Sequence, residues 1–228
     1  MYEVFRKGQR RRIQTVDYLT YSHLYMPSEW EFQSFGPLQY CLDTRQQPQC
    51  SIVRGPIRDT TVLTFLVSGE LDLETASLDD MHLRSRDFAL TVPGPGDSIT
   101  YRTGPEEAQF FELGLETLSD EPVPSHQVAQ VQTDGRTPAL DCLASGQQHP
   151  GALPLPFDCA VYRAFLRTGE NLIFETLLSR KLFILVLRGT LRLQEDRLLP
   201  RDSAHVRRVT SVPINAVQAS ELLLVDMV

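Results

Sequence analysis

Histidine and cysteine are the residue types of this chain that could bind a metal or act as nucleophiles, and neither is clustered. A pair of histidines on one strand face or one helical turn is the usual basis of a transition-metal site. No HxH, HxxH or HxxxH pair occurs, so local spacing predicts no such centre. The five histidines are His23, His82, His126, His149 and His205.

Two cysteines are candidates for redox chemistry. Cys41 and Cys50 flank a predicted turn at residues 43–49, and Arg45 or Arg54 could lower a thiol pKa and favour a sulfenic acid or a disulfide. A hairpin would bring the two sulfurs close if both face one side, but they could equally face opposite sides. The favoured interpretation is two inert thiols, because a free cysteine is most often a small buried apolar residue.

Other signatures of chemistry or of special location are missing from the sequence. It has no GxSxG, P-loop, GxGxxG or DxDxDG motif. The net charge of −7 argues against a general binder of nucleic acid or of anionic membranes. With no apolar signal segment and no membrane-spanning run, we expect a cytoplasmic protein. The basic residues between positions 6 and 12 are interpreted as a solvated turn before the first strand.

A glycine-centred pattern occurs twice and predicts the elements that would position any site. LVSGELDL surrounds Gly69, and VLRGTLRL surrounds Gly189. In both copies an apolar run leads to the glycine, and leucines then alternate with polar residues, which is typical of a strand with one buried face. Such an internal repeat predicts two similar β domains, each with a turn at its glycine.

The distribution of glycine and proline predicts the domain boundaries. Residues 1–115 and 157–228 consist of short strand-like runs separated by Gly and Pro turns, which is typical of sandwiches and barrels. Residues 116–156 are rich in proline and are interpreted as the connection between the domains. We expect a short strand at residues 128–131 and a short helix over Ala139–Leu143 within it.

Several motifs, in order along the chain, resemble the pirin family. Residues 21–27, YSHLYMP, resemble the family's FGHYFDP stretch, residues 35–38 match its FGPL turn, and residues 63–78 resemble its TYVLEGELEHRDSLG segment. The resemblance covers nearly the whole chain. It implies an all-β bicupin, with two antiparallel jelly-roll β-barrel domains and a short helix or helices in the connection.

The same resemblance shows where the family's metal ligands would lie. Pirins and the bacterial quercetinases of this family hold one metal ion in the N-terminal cupin with HPHR, a nearby Glu and a later HSE. The matched positions read GPIR and ITY here, so no cofactor is expected. The candidate pocket left by this degenerate metal site consists of His23, Gly55, Ile57, Arg58, Thr61, Ile99 and Tyr101.

The loss of these ligands favours a metal-free protein without dioxygenase activity, similar to the pirin sub-branch typified by the bacterial YhaK protein. It would bind a small molecule or a protein partner, in a stress or redox response, as a monomer or weak dimer. The alternative is a quercetin 2,3-dioxygenase-like or other small-molecule enzyme whose unconventional site uses His23, Arg58 and Tyr101. A third hypothesis is an acidic surface that docks a basic partner.

Overall fold

The computed structural model describes residues 1–24, 34–57, 59–117, 123–130, 138–147 and 149–228, and this part of the chain is built almost entirely from β-strands. Its one helical segment is a 3-10 turn at Lys7–Gln9, and no helix there is long and apolar enough to cross a membrane. In chain order the strands are β1 (Tyr2–Phe5), β2 (Arg11–Gln14), β3 (Tyr18–Ser22), β4 (Leu38–Gln46), β5 (Ser51–Arg54), β6 (Thr60–Ser68), β7 (Glu70–Glu74), β8 (Met81–Arg84), β9 (Asp87–Val92), β10 (Ile99–Thr103), β11 (Ala108–Glu116), β12 (Ser125–Gln130), β13 (Ala139–Ser145), β14 (Leu153–Pro154), β15 (Cys159–Leu166), β16 (Asn171–Glu175), β17 (Lys181–Leu193), β18 (Asp196–Leu198), β19 (Ser203–Arg207) and β20 (Ser211–Met227).

The strands form two compact units that divide the chain differently from the expected boundaries. Residues 10–131 form the N-terminal unit, and residues 1–9 join residues 132–228 in the C-terminal unit. Two of the strands in the expected connection account for the difference, because β12 pairs with β9 and β13 pairs with β15. The helix predicted over Ala139–Leu143 is wrong, since those residues belong to β13, whose backbone is paired with β15.

The N-terminal unit is a jelly roll of two antiparallel sheets. One sheet has the order β12-β9-β6-β11-β4-β3-β2, and the other has the order β5-β10-β7-β8. Strand β7 shows how alternation builds the core, because Leu71 and Leu73 are buried while Asp72 and Glu74 are partly exposed. Buried side chains from both sheets meet in one apolar cluster, which includes Leu66 and Phe110 from the larger sheet.

The C-terminal unit has the same character and one large apolar core cluster. Its sheet has the order β1-β19-β17-β20-β15-β13-β14, with β16 also paired to β20 and β18 paired to β17. The long strands β17 and β20 supply most of the buried leucine, isoleucine and valine side chains.

The two repeat glycines have different roles. Gly69, with φ of 84°, separates β6 from β7 as predicted. Gly189, with φ of 80°, lies inside β17, where the register with β20 shifts on both sides of it. The turn predicted at Gly189 is therefore wrong, because the bulged strand continues past it. A Cβ at either position would collide with backbone atoms, which explains why glycine is needed in both copies.

The first residues of the chain are fixed to the C-terminal unit by backbone pairing and by charge. Strand β1 pairs antiparallel with β19, from Tyr2 opposite Val206 to Phe5 opposite Ser203. The Lys7 backbone N–H then donates to Oδ1 of the buried Asp202, at 2.8 Å. The basic residues follow β1: Lys7 lies in the 3-10 turn, and Arg11 and Arg12 lie exposed on β2. Arg6 and Lys7 are both bonded to Asp202, so this part of the segment is anchored and not a solvated turn.

A second polar contact ties β20 to neighbouring loops of the same unit. The Arg180 guanidinium donates through Nε to Oδ2 of Asp226 at 2.7 Å and through Nη1 to Oδ1 of Asp158 at 2.8 Å. Thr176 donates its hydroxyl to the other oxygen of Asp226, at 2.9 Å. Both Arg180 and Asp226 are buried, so this ion pair is largely removed from solvent.

Candidate functional site

Hydrocarbon occupies most of the positions matched to the family's metal ligands. Ile99 and Tyr101 lie two residues apart on β10, so both point into the core of the N-terminal unit, and both are fully buried. Ile57 joins the same cluster. Gly55 has no side chain and takes a φ of 137°. These positions therefore come together, but as core packing.

The two hydroxyl groups among the matched positions do not complete a metal site. The Tyr101 hydroxyl is 3.2 Å from the Thr64 hydroxyl, and burial followed by the Glu112 charge raises the pKa of Tyr101 well above its ordinary value. The Thr61 hydroxyl is instead 2.9 Å from that of Thr117. Within the described ranges no three His, Cys, Asp or Glu residues are placed to hold a metal ion. The residues present do not fit the family's metal.

His23 lies on the other side of the larger sheet. Its Nε2 is 3.1 Å from Nη1 of Arg10, and its ring is 6.2 Å from the Phe111 ring. Phe110 belongs to the core cluster, so Phe111, the next residue on β11, faces the opposite side. The expected convergence of His23 with Tyr101 is therefore wrong. Arg58, the third residue of that hypothesis, lies outside the described residues.

A buried ion pair lies inside the N-terminal unit. Glu112, on β11, is fully buried and accepts a hydrogen bond from Nε of Arg54 at 3.1 Å. Nη2 of Arg54 is 3.2 Å from the hydroxyls of both Thr20 and Thr44, which are 3.0 Å apart. The guanidinium carbon lies 5.6 Å from the centre of the Tyr18 ring. Three strands of the larger sheet thus hold one arginine from β5.

Charge is balanced within this group. Although burial lowers it, the Glu112 carboxylate raises the pKa of Arg54 above its ordinary value, so the guanidinium stays charged. Burial, and then the charge of Glu112, raises the pKa of Tyr40, so this phenol stays neutral. The second carboxylate oxygen of Glu112, Oε1, is buried and has no hydrogen-bond partner among the described residues. Such an atom is a potential acceptor for a bound molecule or water.

An open cleft of about 490 Å³ borders this ion pair. The Tyr40 ring covers Gly114, where a Cβ would collide with it. Two residues further along β4, Leu42 is directly opposite Glu112 on β11. Glu112 therefore lies beside Leu42 on the same face of the sheet. The lining residues are Gln39, Tyr40, Leu42, Arg54, Gly55, Pro56, Ile57 and Thr60.

The two candidate thiols are not activated. Cys41 is buried, and the Cys50 thiol donates to Oδ1 of Asp17 at 3.4 Å. Desolvation raises the pKa of both thiols, and Asp17 raises that of Cys50 further. Arg45 and Arg54, the arginines that could have activated a thiol, form ion pairs with glutamates instead. Arg10 lowers the pKa of Cys41, but desolvation outweighs it. A redox role for Cys41 and Cys50 stays a prediction.

Thiol reactivity should be low. We expect iodoacetamide to alkylate Cys50 more slowly than free cysteine at pH 7.5, and Cys41 only after unfolding, because the thiolate is the reactive form. Site-resolved mass spectrometry over a time course measures both rates, and a Cys50→Ser variant identifies the modified site. Labelling of Cys50 faster than free cysteine would contradict this expectation.

Sequence reasoning did not identify Glu112 or its pairing with Arg54. A signal was available, since Glu112 interrupts the apolar run AQFFELGL on β11 at a position whose neighbours two residues away face the core. A charged residue at an inward position of a buried strand requires a partner. The partner could not be named, because Arg54 is 58 residues away.

Comparison with known proteins shows similarity to the pirin family. The model of the quercetinase C-terminal cupin domain matches residues 142–227. A pirin-like protein of Caulobacter vibrioides is 25% identical over 199 residues, covering 85% of this chain and 84% of that protein. Both matches support a relationship of the chain to the pirin family. This similarity, with the observed strands, confirms the predicted all-β bicupin class.

Two further comparisons concern a sequence relative and a solved structure. A putative quercetin 2,3-dioxygenase of Zymomonas mobilis is 22% identical over 194 residues, covering 84% of this chain and 83% of that protein. The structure of the bacterial pirin YhhW from Escherichia coli in complex with nickel(II) has a TM-score of 0.88 and 16% identity, covering 100% of this chain and 99% of that chain. At this identity the second likeness describes the fold alone.

Proposed function

We propose that this chain is a metal-free cupin protein that binds a small molecule in the cleft of its N-terminal unit and lacks dioxygenase activity. The observation that carries the proposal is the burial of Ile57, Ile99 and Tyr101 in one apolar cluster at the matched ligand positions. A transition-metal ion needs imidazole, thiolate or carboxylate ligands, and these side chains offer none of them.

Binding is the role that the cleft supports best. Its volume of about 490 Å³ lies within the range of roughly 300–1,000 Å³ that is common for small-molecule sites. The wall combines apolar residues with a few polar groups, which is the usual composition of such sites. A protein partner, a cytoplasmic location and a link to stress or redox response belong to the same proposal and are supported by the sequence resemblance only.

Elemental analysis is the test of the metal-free state. After incubation of the purified protein with iron, nickel, copper, manganese and zinc and removal of excess metal, we expect well below one equivalent of any of them. A variant carrying Ile57→His, Ile99→His and Tyr101→Glu restores three of the family's ligands, two imidazoles and one carboxylate, and serves as the positive control. One tightly held equivalent in the unaltered protein would refute the proposal.

A quercetin 2,3-dioxygenase-like activity is the second candidate, favoured by the name of the Zymomonas mobilis relative. It would have to use groups other than the family's ligands, and His23 faces away from the core that contains Tyr101. Quercetin consumption, followed by absorbance with each of the five metals added, tests it. We expect no loss above the metal-only control; metal-dependent turnover that saturates with quercetin would establish this candidate instead.

A further inference from the structure

The Arg54 guanidinium offers one remaining nitrogen to a ligand. Its Nε donates to Glu112, and its Nη2 contacts the Thr20 and Thr44 hydroxyls. Within the described part of the chain, Nη1 is the guanidinium nitrogen without a hydrogen bond, and Arg54 lines the cleft. Arginine recognises carboxylates and phosphates best through two parallel N–H donors. The edge formed by Nε and Nη2 is already occupied by the Glu112 carboxylate and the threonines, so a ligand meets the single nitrogen Nη1.

The electrostatics of the cleft also disfavour an anion. Among the described residues that line the cleft, Arg54 is the charged one, and its ion pair with Glu112 balances it. An incoming anion would place a second negative charge near a fully buried carboxylate, and the described lining residues supply no second cation. Like charges in a partly desolvated site are costly, whereas an uncharged acceptor meets no such cost.

We infer that the Arg54–Glu112 pair makes this cleft selective for uncharged ligands, such as amides and other carbonyl compounds, that offer one acceptor to Arg54. The apolar body of the ligand would contact Leu42, Pro56, Ile57 and the Tyr40 ring, all of which line the cleft. Carboxylates and phosphates of the same shape are rejected. The inference rests on the proposed function, because it assigns a ligand class to the same cleft.

A pair of matched probes tests the selectivity on the full chain. 2-Naphthamide and 2-naphthoate have nearly the same shape and differ in charge. In ligand-observed NMR titrations at low salt, we expect the amide to bind at least tenfold more tightly than the carboxylate. Equal or tighter binding of 2-naphthoate would overturn the inference, and so would the absence of binding by either probe.

A Glu112→Gln variant provides the sharper readout, because it keeps the shape and leaves the Arg54 charge unbalanced. The ratio of the affinity for 2-naphthoate to that for 2-naphthamide should then rise by about tenfold or more. Glu106→Gln is the matched control, since Glu106 lines a different cleft and its replacement changes the net charge equally. A preference that is unchanged in Glu112→Gln, or shifted equally by both variants, would overturn the inference.

A double variant guards against a folding defect. Arg54→Met together with Glu112→Leu removes both charges at once, which a fold tolerates far better than removal of one. We expect it to lose the tenfold discrimination between the probes. Discrimination retained in this variant would overturn the role of the pair. A bound metal with the amide preference intact would refute the proposed function and leave this inference standing, so the two failures are distinguishable.

Discussion

Replacing Arg54 with methionine is expected to lower the free energy of unfolding by about 3–5 kcal/mol, the range for breaking a buried ion pair by removing one partner. The reason is that the fully buried Glu112 would lose the cation that pairs with it. The hydroxyls of Thr20 and Thr44 would lose a donor as well. Urea denaturation followed by circular dichroism measures the change.

Two further variants separate the buried charge from the loss of an arginine. Arg54→Met combined with Glu112→Leu should recover most of the lost stability, because it leaves no unpaired charge. Arg102→Met removes an ion pair with Glu74 at the surface of the same unit, where the arginine side chain is 55% exposed, and should cost less than about 1 kcal/mol. If Arg54→Met lowers the free energy of unfolding no more than Arg102→Met does, the ion pair with Arg54 does not stabilise the buried Glu112.

Replacing Arg180 with methionine should also lower the free energy of unfolding, by about 3–5 kcal/mol at neutral pH, because it breaks the buried ion pair of the C-terminal unit. Arg180 makes three of its hydrogen bonds to Asp158, Asp226 and the Asp226 backbone carbonyl. Without it, the buried Asp226 carboxylate would keep only the hydroxyl of Thr176. Urea denaturation measures this change too.

The loss of stability caused by Arg180→Met should depend on pH and should be smaller at lower pH. Burial raises the pKa of Asp226 above its ordinary value of 3.8, while Thr176 and Arg180 lower it. Removing Arg180 therefore raises this pKa further. A carboxyl whose pKa is higher in the folded state than in the unfolded state gains stability as it is protonated and loses it as the pH rises through the folded value. The free energy of unfolding that the variant loses relative to the parent should thus be largest near pH 7 and should shrink as the pH falls.

Measurements between pH 5 and pH 8 would reveal that trend. Arg207→Met is the control, because the Arg207–Glu3 pair spans 3.9 Å between side chains about half exposed and should contribute less than about 1 kcal/mol. A destabilisation by Arg180→Met that stays constant, or grows on acidification, would contradict the assigned role of Asp226.

Local pattern was enough to predict the strands and the character of the core. The alternation of Leu71 and Leu73 with charged residues identified β7 because a period of two depends only on neighbouring residues. The apolar filling at Ile57 and Ile99 was likewise predicted residue by residue from the family resemblance, and the structure places both in the core. Predictions of this kind need no knowledge of distant contacts.

Features that depend on distant contacts could not be predicted. Strand β1 has no local signal of its partner, since its pairing with β19 joins the two ends of the chain. Similarly, Ala139–Leu143 has a short amphipathic pattern, but pairing with β15 decides its conformation. The Arg54–Glu112 pair was missed for the same reason, because neither residue indicates the other in the sequence.

The attachment of β1 to β19 has a consequence for protein synthesis. Tyr2 leaves the ribosome long before Val206, its partner in the sheet. At roughly 5–20 residues per second, the N-terminal unit can fold while β1 waits without a partner for on the order of ten seconds or more. A gene fragment encoding residues 132–228 alone would leave the β19 edge open to pairing with other chains. A circular permutant that joins residues 1–9 to this fragment would supply the missing strand in the same polypeptide.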